Sequence, residues 1–321
     1  MISPMPIGEN MQHWTAYWQQ SDTLNSFAEG QAATGYHGEL ADFWQKQLSG
    51  LAPSAILLDL GTGNGALAVL LAEQKLKRAN DWRILAVDAA DIQPQRLIAK
   101  QPALAKPFKQ IRFLGHTRIE QLPCANASID LLVSQFAFEY SELSASLEEA
   151  WRVLKPGGRL VAVMHSADTA LAQDSAVGIL VMQNLLAADG IIERVLALLP
   201  LALRSTQSPQ FIQANQQLLQ QVKVYQQSLV PAAAEWFRYL FAPFASLLFQ
   251  PAEDSLHQAK RLQQSLAYYL QRLSDQQAAC ITADKADGIQ QQLQKLRGRG
   301  QLTPLYIEGQ LFGLALMAEK V

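Results

Sequence analysis

Short apolar runs alternate with stretches of helical periodicity between residues 55 and 165, and no other feature of the chain restricts its fold so tightly. The runs fall at 55–60, 83–88, 110–115, 129–134 and 159–165, and the helical stretches at about 66–78, 92–104 and 144–155. Strands and helices alternating at this spacing make βαβ units around a parallel sheet with right-handed crossovers. Ligands of such sheets bind beyond the carboxyl ends of the strands. The expected fold class is therefore α/β, a doubly wound and mostly parallel sheet.

The remainder of the chain has a different texture. Residues 1–50 carry Trp14, Tyr17 and Trp18 at helical spacing, then Gly30, Gly35 and Gly38 around Tyr36, then a second helix through Phe43 and Trp44, which together read as a helical cap segment. From 168 to 301 the sequence is rich in Gln, Leu and Ala with apolar residues three and four apart, so several amphipathic helices are expected. This insertion far exceeds an ordinary βα connection and reads as a substrate cap or a dimer interface. Its Trp236, Phe237, Tyr239, Leu240, Phe241 and Phe244 suit either a pocket for an apolar small molecule or the core of the helices themselves. Residues 302–308 and 310–320 read as two strands joined by a tight turn at Glu308, Gly309 and Gln310. The domains expected are thus 1–50, 51–167 together with 302–321, and 168–301.

Composition narrows the function classes. An apolar fraction of 49% excludes a disordered chain, and 28 acidic against 26 basic residues give no pull toward phosphate backbones. Nucleic acid is not an expected partner. Cys124 and Cys280 are too few for a disulfide framework and lack zinc spacing, and His13, His116 and His257 stand isolated, so no metal site is expected. The most apolar windows, 179–203 and 232–249, are broken by charges and by Pro243, so no membrane span is expected. The opening residues lack the basic and apolar regions of a secretory signal, and the expected location is the cytoplasm.

The chemistry concentrates where the first strand ends. Asp59-Leu60-Gly61-Thr62-Gly63-Asn64-Gly65 closes an apolar strand and opens an apolar helix, the setting of a glycine-rich cofactor loop. Glycines let the backbone turn sharply, and the helix start offers free N–H groups to an anionic group. Asp88 closes the second strand, where a carboxylate accepts hydrogen bonds from both ribose hydroxyls. Gly61, Gly63 and Ala66 also satisfy a relaxed dinucleotide fingerprint. Asp59, however, sits badly beside a pyrophosphate and well beside the ammonium of an amino acid, which fits S-adenosylmethionine better.

With these residues in view, the chain resembles the class I S-adenosylmethionine-dependent methyltransferases. The loop DLGTGNG, the acid in ILAVDAA, the segment LPCANASIDLLVSQFAFEY and LEEAWRVLKPGGRLVAVMH occur in the family's order. The resemblance implies a Rossmann-like sheet of seven strands with the last antiparallel, in keeping with the terminal strand pair. It also implies S-adenosylmethionine as cofactor, with Asp59, Gly61, Thr62 and Gly63 at the methionine end and Asp88 with Ala89 at the ribose. His116 and Thr117 would flank the adenine, Ser134 would form the floor, and Phe136 would stand beside it. The family often has an acidic residue where His116 or Thr117 stands here.

The acceptor is narrowed by absences and by position. The stretch after the fourth strand lacks the Asn/Asp-Pro-Pro-aromatic run that resembles amide or exocyclic-amine methylation, and no cysteine follows that strand. His165 after the fifth strand, and Glu139 and Tyr140 after the fourth, stand at the functional edge as candidate catalytic residues. The expected activity is methyl transfer to an O, N or C acceptor of a small, partly apolar molecule, with a homodimer through the helical insertion as a possible assembly. The alternatives are an RNA or protein methyltransferase, for which Lys100, Lys106, Lys109, Arg112 and Arg118 are the one local basic enrichment, and a non-catalytic cofactor-binding or assembly module.

Overall fold

Side chains along the central strands alternate between two buried faces, as a sheet covered on both sides requires. In β1 (Ile56–Leu60), Leu57 belongs to one core and Leu58 and Leu60 to the other. In β4 (Ile129–Gln135) the division is Leu131 and Val133 against Leu132, and in β5 (Leu154–Met164) it is Val161 and Val163 against Leu160, Ala162 and Met164. Helix α3 (Ala66–Arg78) packs into the first core; α5 (Leu143–Val153) and α11 (Ala283–Lys295) pack into the second.

This computed structural model describes residues 11–26 and 35–321. Gly30 and the opening stretch examined for a secretory signal lie outside the described residues. The chain divides into two units, Met1–Thr169 with Ala278–Val321, and Ala170–Gln277. Residues 278–301 thus go with the sheet, because α11 fills its second face through Ile289 and Leu293. The sequence reading had carried the insertion through 301.

With β2 (Arg83–Val87), β3 (Ile111–Leu114), β6 (Gly298–Ile307) and β7 (Gln310–Lys320), the sheet has seven strands in the order β3-β2-β1-β4-β5-β7-β6. The strands from β1 to β5 pair in parallel, and β7 runs antiparallel to both β5 and β6. This is the doubly wound, mostly parallel sheet expected. The order reverses beside β1, which places the glycine loop at the topological switch point. Glu308 and Gly309 both adopt positive φ, 50° and 76°, as a two-residue hairpin of right-handed twist demands.

Two expectations change in detail. The stretch at 92–104 is no regular helix: Pro94 and Pro102 break it into short 3-10 turns, Pro94–Ala99 and Pro102–Leu104, ahead of α4 (Ala105–Phe108). The strand expected from the apolar run at 159–165 begins earlier, at Leu154, with 155–158 forming a bulge where the pairing with β4 slips between Ile129 and Leu131.

The second unit is a helical bundle built from α6 (Ala170–Leu185), α7 (Ile191–Arg204), α8 (Pro209–Ser228), α9 (Pro231–Phe249) and most of α10 (Ser255–Ala279). Phe237, Leu240 and Phe244 are buried in its core with Leu198, Leu199 and Ile192, while Tyr239 of the same helix is 74% exposed. The aromatic run of α9 therefore closes the bundle on itself and does not line an apolar pocket. A groove of about 1100 Å³ in this unit is lined by polar side chains of α8, among them Gln213, Gln217 and Gln220, with Arg194 of α7. Replacing Phe237, which stacks on Phe241 at 5.2 Å, by Ala is expected to destabilise this unit by about 3–5 kcal/mol in denaturant unfolding, whereas Tyr239→Ala stays within about 0.5 kcal/mol of the parent.

Candidate active site

Two buried carboxylates shape the loop that follows β1. Asp88, just past β2, accepts the Gly63 N–H through Oδ2 at 2.7 Å and the Ala90 N–H through Oδ1 at 2.8 Å. Asp59 accepts the Thr62 hydroxyl at 2.7 Å, and the Thr62 N–H donates to the Val87 carbonyl at 2.9 Å. Gly61, Gly63 and Gly65 hold positive φ of 66°, 53° and 97°, conformations that other residues adopt only at a cost. Space restricts the first two as well: a Cβ on Gly61 would lie 2.2 Å from that of Ala137, and one on Gly63 would lie 2.5 Å from the Trp18 indole.

Burial raises both carboxyls. It pushes Asp59 up to about 7, against the hydrogen bonds from Thr62 and Ala68 and with the Asp88 charge adding to the rise. It pushes Asp88 up to about 6, against the Ala90 and Gly63 N–H groups. Tyr36, which packs against the first core, is likewise held well above the usual phenol range by burial and by the Asp59 charge. The loop thus holds two buried carboxyls whose ionised forms burial disfavours.

The remaining expected residues fall into three groups. Ala89 follows Asp88 directly, and Thr117 joins it through its N–H, which donates to the Asp88 carbonyl at 2.8 Å. His116 is exposed, at φ 51°, with Nε2 3.5 Å from Asp91. Ser134 is not a surface floor: it is fully buried, its hydroxyl donates to the Leu60 carbonyl at 2.9 Å and accepts the Phe138 N–H at 3.1 Å. It bolts β1 to the turn after β4 and has no exposed atom to offer a ligand.

Glu139, His165, Tyr140 and Phe136 come together at the ends of β4 and β5. The Glu139 side chain is fully buried, and its Oε1 meets both the His165 N–H at 2.8 Å and the His165 Nδ1 at 2.6 Å. Glu139 Oε2 is buried with no hydrogen-bond partner. The Phe136 ring is tilted against the His165 ring at 4.2 Å and against Phe312 at 5.0 Å, so it is part of the histidine's surroundings. Tyr140 sets its ring edge-on to His165 at 5.9 Å and to Trp14 at 5.6 Å. Of the local basic residues, Lys100 pairs with Asp22 and Arg118 with Glu120.

Sequence reasoning missed Asn64, Ala137 and Arg96. Asn64 is fully buried and donates to the carbonyls of Thr23 at 2.9 Å and Ser21 at 3.4 Å, while its Oδ1 has no partner. Its place inside the glycine motif was the available signal. Ala137 and Arg96 had none, since their contacts are made across distant segments. Among the described residues, no group of three or more His, Cys, Asp or Glu is poised to hold a metal ion, and no helix is long and apolar enough to cross a membrane.

Residues 58–162 match the family described as "Methyltransferase domain". This stretch of the chain is similar to methyltransferase domains. Over 107 residues it is 39% identical to a demethylmenaquinone methyltransferase of Deinococcus radiodurans, a match that covers 33% of this chain and 41% of that protein. Over 139 residues it is 34% identical to a malonyl-[acyl-carrier protein] O-methyltransferase of Methylococcus capsulatus, covering 41% and 47%. The chain thus spans less than half the length of these relatives. A geranyl diphosphate C-methyltransferase of Streptomyces coelicolor A3(2) aligns over 99% of this chain and 100% of its own, at 14% identity and a TM-score of 0.39, too loose a likeness to bear on chemistry.

The raised carboxyls carry a consequence for stability. A carboxyl that titrates at 3.8 when unfolded and near 7 when folded favours folding in its protonated form; that contribution is complete below pH 3.8 and is lost as pH rises through 7. The ligand-free protein should therefore weaken between about pH 4 and pH 8. Asp59→Asn should be the more stable form at pH 8, by on the order of 4 kcal/mol, with the gap closing by about pH 4, as read by denaturant unfolding across that range.

Proposed function

We propose that the protein transfers the methyl group of S-adenosylmethionine to a small, partly apolar acceptor whose reacting atom loses a proton to His165. The observation that carries this reading is the Glu139–His165 pair at 2.6 Å, set on the same strand-end edge as the glycine loop and tied to it by the contact of Ala137 with Gly61.

The loop suits the cofactor on its own features. Asp88 uses one acceptor site on each oxygen for Gly63 and Ala90, and a carboxylate has about four, so two remain for the ribose hydroxyls. Asp59, buried and raised, is matched by an ammonium, and Gly61 with Gly63 leaves the backbone open to a carboxylate. Thr117, joined to Asp88 through its N–H, flanks the adenine end, and Ala89 stands with Asp88 at the ribose. When bound, S-adenosylmethionine supplies an electrophilic methyl group on a sulfonium that departs as a neutral thioether.

The chain's own work is positioning and proton removal. Glu139 accepts from Nδ1, which fixes the tautomer and leaves Nε2 as the basic nitrogen of His165. An O–H or N–H proton of the acceptor, or an acidic C–H, passes to Nε2, and the Glu139 carboxylate stabilises the imidazolium so formed. Phe136 and Tyr140 set ring surface against the imidazole, with Phe312 against Phe136, and this surface favours an apolar, planar acceptor. Relatives named for demethylmenaquinone and for malonyl-acyl-carrier-protein methylation support a small acceptor, and as one is named for O-methylation they do not choose the atom. The macromolecular alternative is weakened because Lys100 and Arg118 are already paired with acidic residues.

Calorimetric titration with S-adenosylmethionine and S-adenosylhomocysteine tests the cofactor half. Asp88→Ala should weaken both by at least about a hundredfold, the loss of two charge-assisted hydrogen bonds, and unchanged affinity would remove Asp88 from the site. Once an acceptor is found, His165→Gln should lower kcat by about 10²- to 10⁴-fold with S-adenosylhomocysteine affinity intact, and a variant of near-normal kcat would dismiss the base.

A further inference from the structure

The chain that follows α10 runs beside the Glu139–His165 pair. The Ile281 N–H donates to the His165 carbonyl at 2.8 Å, and Ile281 bridges to Ser166 in parallel register. Cys280 and Ile281 are both buried, Ile281 within the second core of the sheet. Lys285 reaches back over this stretch. Its Nζ donates to the carbonyl of Ala278 and, at 3.1 Å each, to those of Ala279 and Cys280, the carbonyl end of α10.

The needs of α11 do not account for a lysine here. Thr282 caps that helix and its Oγ1 accepts the Lys285 N–H at 3.4 Å, so Lys285 stands in the first turn, where the helix dipole disfavours a cation and a capping box places Glu or Gln. Glu139 supplies a reason. Its side chain is fully buried, Oε1 is taken by the backbone N–H and Nδ1 of His165, and Oε2 has no hydrogen-bond partner. A buried carboxylate with one bare oxygen lacks compensation, which a nearby cation can provide without contact. The titratable groups around the pair are Tyr140 in the turn after β4, and Cys280 and Lys285 beyond α10. The rings that α1 (Gln12–Gln20) and β7 add, Trp14 against Tyr140 and Phe312 against Phe136, carry no charge. Burial raises the Cys280 thiol and the Glu139 charge raises it further, so it stays neutral. Burial lowers the Lys285 ammonium, and the Cys280 and Glu139 charges act against that. The positive charge that these residues bring to Glu139 is that of Lys285.

We propose that Lys285, clipped to the carbonyl end of α10, is the counter-charge of Glu139 and a positioning residue for the base: it holds the carboxylate ionised beneath His165 Nδ1 and leaves Nε2 free to take a proton. This inference rests on the role of base proposed above for His165. A cation in this place opposes an extra proton on either member of the pair. Without it the pair keeps that proton to a higher pH, and less of the free base is present near neutrality. The carbonyl clip fixes where the charge stands, and the Ile281–His165 hydrogen bond fixes the clip to the strand that carries the base.

The test is a pH titration of the full chain, labelled with ¹⁵N in its five histidines and followed by NMR, with the His165 signals assigned by their loss in His165→Gln. Three variants separate charge from hydrogen bonding: Lys285→Arg keeps both, Lys285→Gln keeps a donor for the carbonyls without the charge, and Lys285→Met keeps neither. The pH at which the His165 ring gains its second proton should rise by about 0.5 to 1 in Lys285→Gln and Lys285→Met, and stay within about 0.2 of the wild type in Lys285→Arg. A role confined to capping α10 predicts instead that Lys285→Gln follows Lys285→Arg, and that result overturns the proposal, as does a midpoint unchanged in all three. If Lys285→Met does not fold, the comparison of Lys285→Gln with Lys285→Arg still decides. A wild type whose neutral His165 carries its proton on Nε2 overturns the base and this inference with it. A proton on Nδ1 together with an unmoved midpoint overturns the role of Lys285 and leaves the base standing.

Discussion

The Asp88 carboxylate is the fastening on which the functional edge depends. It grips the Gly63 N–H on one side and the Ala90 N–H on the other, and so joins the loop after β1 to the turn after β2 at the place where strand order reverses. The cost is electrostatic. Asp88 is buried, Asp59 is buried near it, and each is pushed toward its neutral form. A ligand that brings positive charge and hydroxyl donors relieves both at once, and S-adenosylmethionine carries an ammonium, a sulfonium and a ribose. The two raised carboxyls are therefore the feature of the loop that the proposed cofactor's charge and hydroxyl groups match.

A second layer of constraint fixes the loop's shape from outside. Gly61 must be glycine because Ala137 presses on it, Ser134 bolts Leu60 to Phe138, and Glu139 follows one residue later to hold His165. The cofactor loop and the candidate base are thus set by one short run of chain after β4. A change that moves this run moves both, so its tight packing does more for chemistry than for stability.

How much of this was legible in the sequence depended on whether the signal was local. The glycine loop and Asp88 were readable because a strand end, a turn and a helix start leave their marks within a few residues. The hairpin at Glu308 and Gly309 was readable for the same reason, although β6 begins earlier than its apolar residues suggest. The 92–104 stretch misled because helical spacing was weighed above Pro94 and Pro102. Ser134 and Phe136 were located correctly at the strand end, but a sequence does not say that a hydroxyl is already used by two backbone groups or which way a ring turns. The aromatic run of α9 was undecidable: the same periodicity serves a pocket and a closed core, and tertiary packing chose the core.

Trp14, Tyr17 and Trp18 show the limit most plainly. Their spacing announces a helix, and the ordinary expectation for such a stripe is burial in a core. Instead α1 buries only His13 and is fastened through Thr15, Gln19 and the backbone of Trp18 and Ser21, by partners more than seventy residues away. Trp14 and Trp18 are half-buried as well, Trp14 edge-on to Tyr140 and Trp18 against Gly63, so rings and polar contacts together dock the helix on the functional edge. Every one of these partners lies in a distant segment of the chain, and helical spacing by itself carries no information about which distant surface a stripe will meet.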